Sequence, residues 1–104
     1  MMLRGGVLGG ERIIPKSWVI DSTTPDAPYL KPEQIGFGYA YQWWIPPGND
    51  GVFMAIGIYG QCIYVNPARR VVIVQTSAWP EPEPYLIAEE QGVVLDGIAR
   101  KIAP

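Results

Sequence analysis

Residues 38–76 read GYAYQWWIPPGNDGVFMAIGIYGQCIYVNPARRVVIVQT, and this stretch decides the fold. It holds four runs rich in aromatic and β-branched residues: Tyr39–Ile45, Val52–Tyr59, Gln61–Val65 and Val71–Thr76. Such side chains fit a pleated surface, so each run predicts a strand. The connections are short. Pro46 to Gly51 links the first two runs, and Asn66-Pro67-Ala68-Arg69-Arg70 places Pro at the second position of a tight turn. Short links join antiparallel neighbours, so the expected sheet is a meander.

Outward from the sheet, helices are predicted on either side. Met1 to Arg4 reads as the last turn of a helix closed by Gly5-Gly6. Val7-Leu8 and Arg12-Ile13-Ile14 flank Gly9-Gly10-Glu11 as a short hairpin. Pro15 opens a small helix to about Ser22, ended by Thr23-Thr24-Pro25, and residues 25–37 read as an irregular loop. Trp79-Pro80-Glu81-Pro82-Glu83-Pro84 is a stiff connector, either punctuation before a helix or a polyproline ligand. The final helix is expected from Tyr85 to Ile102, with Ile87, Val94, Leu95, Ile98 and Ile102 on one face. The fold class is therefore α+β, an antiparallel sheet with helices packed on it.

Composition narrows the function. Of 104 residues 48% are apolar, and 8 basic side chains against 10 acidic give a net charge of -2. That balance offers no basic stripe for phosphates, which argues against nucleic acid. The longest apolar run, Val52–Tyr59, is far shorter than the ~20 residues of a bilayer span. There is no histidine, which removes Ser-His-Asp and Cys-His pairs and His-based zinc sites. Cys62 is the single cysteine, so neither an internal disulfide nor a multi-cysteine metal site is available. Asp50, Glu81 and Glu83 have no context that makes them converge on a metal, and a solvated surface is their expected setting. No cofactor is implied. The compartment stays open between cytoplasm and periplasm.

The strands Val52–Ile56 and Val71–Val74 are apolar at both parities, unlike a sheet with one wet face. Both faces ask for cover, and one long helix shields one face only. Either a partner, including a second copy, or further sequence of the same protein covers the other.

Gly38-Tyr39-Ala40-Tyr41-Gln42-Trp43-Trp44-Ile45, Ala55-Ile56-Gly57-Ile58-Tyr59-Gly60-Gln61, Ile63-Tyr64-Val65-Asn66-Pro67 and the segment Gly10–Val19 together resemble one family. They look like the C-terminal part of the β-lactamase-related serine hydrolases, which include class C β-lactamases, penicillin-binding-protein-like esterases and 6-aminohexanoate-dimer hydrolases. Gly57-Ile58-Tyr59-Gly60-Gln61 points to the last of these. The resemblance implies that residues 1–104 form the C-terminal part of a β-lactamase-related domain whose N-terminal catalytic part is absent. Its implied substrate is a small amide or ester, cleaved through an acyl-serine intermediate.

In that family a Ser-x-x-Lys motif supplies the nucleophile and its lysine, a Tyr-x-Asn motif the base, and a Lys-Thr-Gly strand lines the site. Ser17, Ser22 and Ser77 are followed three residues on by Ile20, Pro25 and Pro80, so no Ser-x-x-Lys is present. Tyr64-Val65-Asn66 matches Tyr-x-Asn as a string, but it follows the third-motif strand and precedes a Pro turn, where a plain strand end is the expected role. By resemblance Ala55-Ile56-Gly57 takes the Lys-Thr-Gly position without its lysine and threonine. The Ile58 N–H would then serve the oxyanion hole, with Gly57 and Tyr59 on the cleft wall. Read without the family, the glycines shape a strand-turn-strand corner.

Two readings stand. One is a C-terminal segment of an amide or ester hydrolase, inactive alone because nucleophile, lysine and tyrosine lie in the absent N-terminal part. The other is a non-enzymatic interaction module that docks a partner or self-associates through an apolar sheet face. Trp43 and Trp44, adjacent on a strand, point to opposite faces and cannot form one platform.

Overall fold

A computed structural model describes residues 1–33 and 36–104. A 3-10 turn at Met2–Arg4 ends on Gly5, whose φ of 61° closes it in the left-handed form. Strands β1 (Val7–Leu8) and β2 (Glu11–Arg12) make the predicted hairpin through Gly9-Gly10, so Glu11 belongs to the strand and not to the loop. Helix α1 spans Lys16–Thr23 behind Pro15. A 3-10 turn at Pro28–Leu30 interrupts the predicted loop, whose Gln34 and Ile35 lie outside the described residues.

The main sheet is a five-stranded antiparallel meander: β3 (Gly38–Ala40), β4 (Trp43–Ile45), β5 (Phe53–Ile56), β6 (Cys62–Asn66) and β7 (Val71–Gln75), in chain order across the sheet. Two predicted strands need correction. Tyr39–Ile45 is not one strand but a hairpin, since Tyr41 and Gln42 take φ of 40° and 71° and reverse the chain in two residues. The fold allows this costly turn because it stacks rings: Tyr39 meets Trp44 edge-on with centroids 4.8 Å apart, and Tyr41 meets Trp18 at 5.6 Å. Val52–Tyr59 also stops early, at Ile56, because Tyr59 and Gly60 turn left-handed at φ 58° and 85°. As expected, the two tryptophans diverge. Trp43 packs edge-on to Phe53, while Trp44 stays partly exposed beside Tyr39 and Phe37.

Helix α2 runs Tyr85–Ile102 and covers one face of the sheet. The core there is Met54, Cys62, Tyr64 and Val71 against Leu95 and Ala99. The helix face differs from the expected one. Gln91, Leu95 and Ala99, spaced by four, point inward, while Val94, Ile98 and Ile102 lie to the side and remain exposed. Small Ala99, wholly buried, lets the helix sit close to the strands. On the other face the register sets Ile63 opposite Val74 and Val65 opposite Val72. Val65 is buried, but Ile63, Val72 and Val74 are 40%, 47% and 66% exposed. No helix among the described residues is long and apolar enough to cross a membrane.

Candidate functional site

The predicted site residues sit where β5 turns into β6. The Gly57 N–H donates to the Gln61 carbonyl at 2.8 Å and closes a 3-10 turn over Ile58–Gly60. Gly57 itself is extended (φ -117°, ψ 162°), so it hands the chain straight from strand to turn. Ile58 opens that turn. Among the described residues its N–H meets no backbone acceptor and its side chain is exposed.

The neighbours of Ile58 are fixed from several sides. The Tyr59 N–H donates to the Pro82 carbonyl at 2.8 Å, and the Tyr59 carbonyl accepts from the Trp79 N–H at 3.3 Å. Gly60 is pressed against the Trp79 ring so tightly that an added Cβ would fall 2.4 Å from it. The Gln61 amide brackets Ser77, donating to its carbonyl and accepting from its N–H at 3.2 Å. Gln91, from α2, donates to the Gly60 carbonyl at 3.0 Å. The structure therefore brings Gly57, Ile58 and Tyr59 together on one braced corner, with Tyr59 half exposed in left-handed backbone rather than on a strand.

Beside this corner lies an open groove of about 350 Å³, floored by Ala55, Ile56, Gly57, Ile63 and Val74. No charged side chain lines it. What the corner offers chemically is a backbone donor at the rim of an apolar surface. Nucleophiles nearby are quiet. Cys62 is buried, and burial pushes its thiol up to about 11, so it stays protonated at neutral pH. Ser22 Oγ donates to the Val19 carbonyl, and Ser77 Oγ accepts from Gln75 at 2.8 Å. No group of three or more metal-ligating side chains converges among the described residues.

Tyr64-Val65-Asn66 lies at the other end of β6 and points under α2. Asn66 is wholly buried: its amide donates to Asp50 (3.2 Å) and to Tyr64 Oη (3.1 Å), and its oxygen accepts the Arg69 N–H (3.0 Å). Tyr64 Oη donates to Asp96, which pairs with Arg100 at 2.6 Å. Burial raises the Tyr64 phenol further above its ordinary range, which suits a structural donor and not a base. Asp50 is no solvated bystander, contrary to its expected setting. It pairs with Arg69 at 3.0 Å, and the Asn66 hydrogen bond, helped by Arg69, lowers its carboxyl below the usual range. Arg69 also reaches the Ala103 carbonyl at 2.7 Å and so ties the end of α2 to the sheet. The Asn-Pro turn gives a signal for the Arg69 cap, whereas nothing in sequence marks Asp50 as its partner.

No family model matches the chain. A 6-aminohexanoate-dimer hydrolase from Paenarthrobacter ureafaciens is 33% identical, over 92% of this chain and 26% of its own length. A solved structure from Bacillus anthracis, carrying a 6-aminohexanoate-dimer hydrolase assignment, superposes with a TM-score of 0.79 at 30% identity, covering 97% of this chain and 26% of that one. The chain thus spans about a quarter of the length of these relatives. With an antiparallel meander, a terminal helix and these likenesses, the chain belongs to the 6-aminohexanoate-dimer hydrolase group of the β-lactamase-like fold.

Proposed function

We propose that these 104 residues form the sheet wall of a hydrolase that opens amide or ester bonds through an acyl-serine intermediate. Their own catalytic contribution is the Ile58 N–H, one of two donors to the oxyanion. The observation that carries this reading is the braced corner, in which the amides of Gly57 and Tyr59 are spent on protein carbonyls while that of Ile58 meets none among the described residues. A donor held by its neighbours needs no reorganisation when charge develops on a substrate oxygen, and one such donor stabilises a transition state by ~2.7–4 kcal/mol. Gly57 and Tyr59 flank the substrate. Nucleophile, lysine and tyrosine come from sequence outside the chain, so the chain alone does not turn over p-nitrophenyl acetate or nitrocefin.

The test is a hybrid in which these residues replace the matching segment of the Paenarthrobacter ureafaciens relative. Ile58→Pro removes the one N–H at issue. It should fold, because Gly57 already has the extended backbone that precedes proline and Ile58 opens a turn. The expected result is an active hybrid whose kcat falls about 10²–10³-fold on Ile58→Pro, with stability unchanged. An unaffected Ile58→Pro hybrid, or serine-dependent turnover by the chain alone, would overturn the proposal.

The interaction-module reading draws on the exposed Ile63, Val72 and Val74. It predicts that the hybrid is inert.

A further inference from the structure

The direction of the Ile58 N–H is the direction of the planar peptide that joins Gly57 to Ile58. That plane turns on the backbone of Gly57, which has no side chain to restrain it. One residue restrains it from both sides. The Gln61 carbonyl accepts the Gly57 N–H at 2.8 Å. The Gln61 stem packs over Gly57, where an added Cβ would lie 3.1 Å from its Cβ and 3.6 Å from its Cγ. Beyond Ile58, the Gln61 Nε2 donates to the Tyr59 carbonyl at 3.3 Å. The same amide is anchored on the chain after β7: Nε2 donates to the Ser77 carbonyl, and Oε1 accepts the Ser77 N–H at 3.2 Å. Ser77 thus asks for a donor and an acceptor from one head group, which a neutral amide supplies and a carboxylate does not.

We propose that Gln61 is a positioning residue for the oxyanion donor, an inference that rests on the hydrolase reading of this corner. It acts through the Ile58 N–H and not on the reacting atoms. Its stem and carbonyl set the Gly57 side of the peptide, its head group sets the Tyr59 side, and Ser77 fixes both to the sheet.

The test is a double-mutant cycle in the hybrid described above, with kcat taken per active site titrated by the acyl burst, so that lost folded enzyme does not register. Gln61→Met keeps the stem and removes the head group. It should lower kcat about 10-fold with KM unchanged. In the Ile58→Pro hybrid the same substitution should leave kcat where it is, because the N–H it acts through is gone. Gln61→Glu can donate to Ser77 only while its carboxyl is protonated, so its kcat relative to the parent hybrid should fall as pH rises through that titration. An equal loss from Gln61→Met in both backgrounds would make Gln61 a folding residue and overturn the inference while leaving the hydrolase reading in place. So would an unchanged kcat in Gln61→Met beside a loss in Ile58→Pro. Ile58→Pro without any loss removes the hydrolase reading and this inference together. Should Gln61→Met fail to fold, the Gln61→Glu profile decides, and a ratio flat with pH overturns the inference.

Discussion

At the Phe53–Val65 end of the β5–β6 ladder the buried polar side chains all have hydrogen-bond partners among the described residues, whereas at the Ile56–Cys62 end the Ile58 N–H meets no backbone acceptor among them. The first end is a closed circuit of Tyr64, Asn66, Asp50 and Arg69, with the tail of α2 clamped to it. The second is a left-handed corner braced by Trp79, Gln61 and Gln91 but open above Ile58. The same pair of strands thus separates two tasks. Satisfied buried polar groups fix a unique arrangement and do no chemistry. An unsatisfied donor near water costs little and can be offered to a ligand.

This contrast breaks first at Asn66. Asn66→Ala leaves Asp50, the Tyr64 hydroxyl and the Arg69 N–H short of a partner together, and should lower stability by about 3 kcal/mol in urea unfolding, with the Ile58 corner unaltered. A loss below ~1 kcal/mol would mean that water replaces the amide. At the open end Gly60→Ala should cost about 2 kcal/mol, because the new methyl group meets the Trp79 ring and the backbone is left-handed. In the hybrid it should also depress kcat, a readout that Asn66→Ala would not share.

The smallest effect is a pH dependence. The folded carboxyl of Asp50 titrates below its unfolded value, so its contribution is complete above the ordinary aspartate range and fades as pH falls through the lowered folded value. Stability of wild type and of Asp50→Asn, measured from pH 7 to 2, should therefore converge in acid. Curves that stay parallel would show that the carboxylate charge is irrelevant to the circuit.

Much of this was legible in sequence. Strand content and short links gave the meander, and the Pro and Gly punctuation placed both helices within a residue or so. Gly57-Ile58-Tyr59-Gly60-Gln61 pointed to the corner through family likeness. What stayed hidden has physical causes. The Tyr41-Gln42 reversal uses left-handed residues that are neither Gly nor Asn, so no turn signal announces it; ring stacking at a distance supports it. The inward line of α2 is set by a small residue, Ala99, and a polar one, Gln91, which apolar periodicity passes over. Asp50 and Asn66 are 16 positions apart, and their meeting is a product of register alone.

Cys62 sits in the middle of this architecture, 3% exposed on β6 with its thiol held protonated. In an unfolded chain the same thiol would titrate near ~8.5 and react readily with an aromatic disulfide. As the single cysteine it acts as a clock for the sheet. The rate at which it is labelled measures how often β6 parts from α2, and so separates breathing of the core from fraying at either end of the ladder.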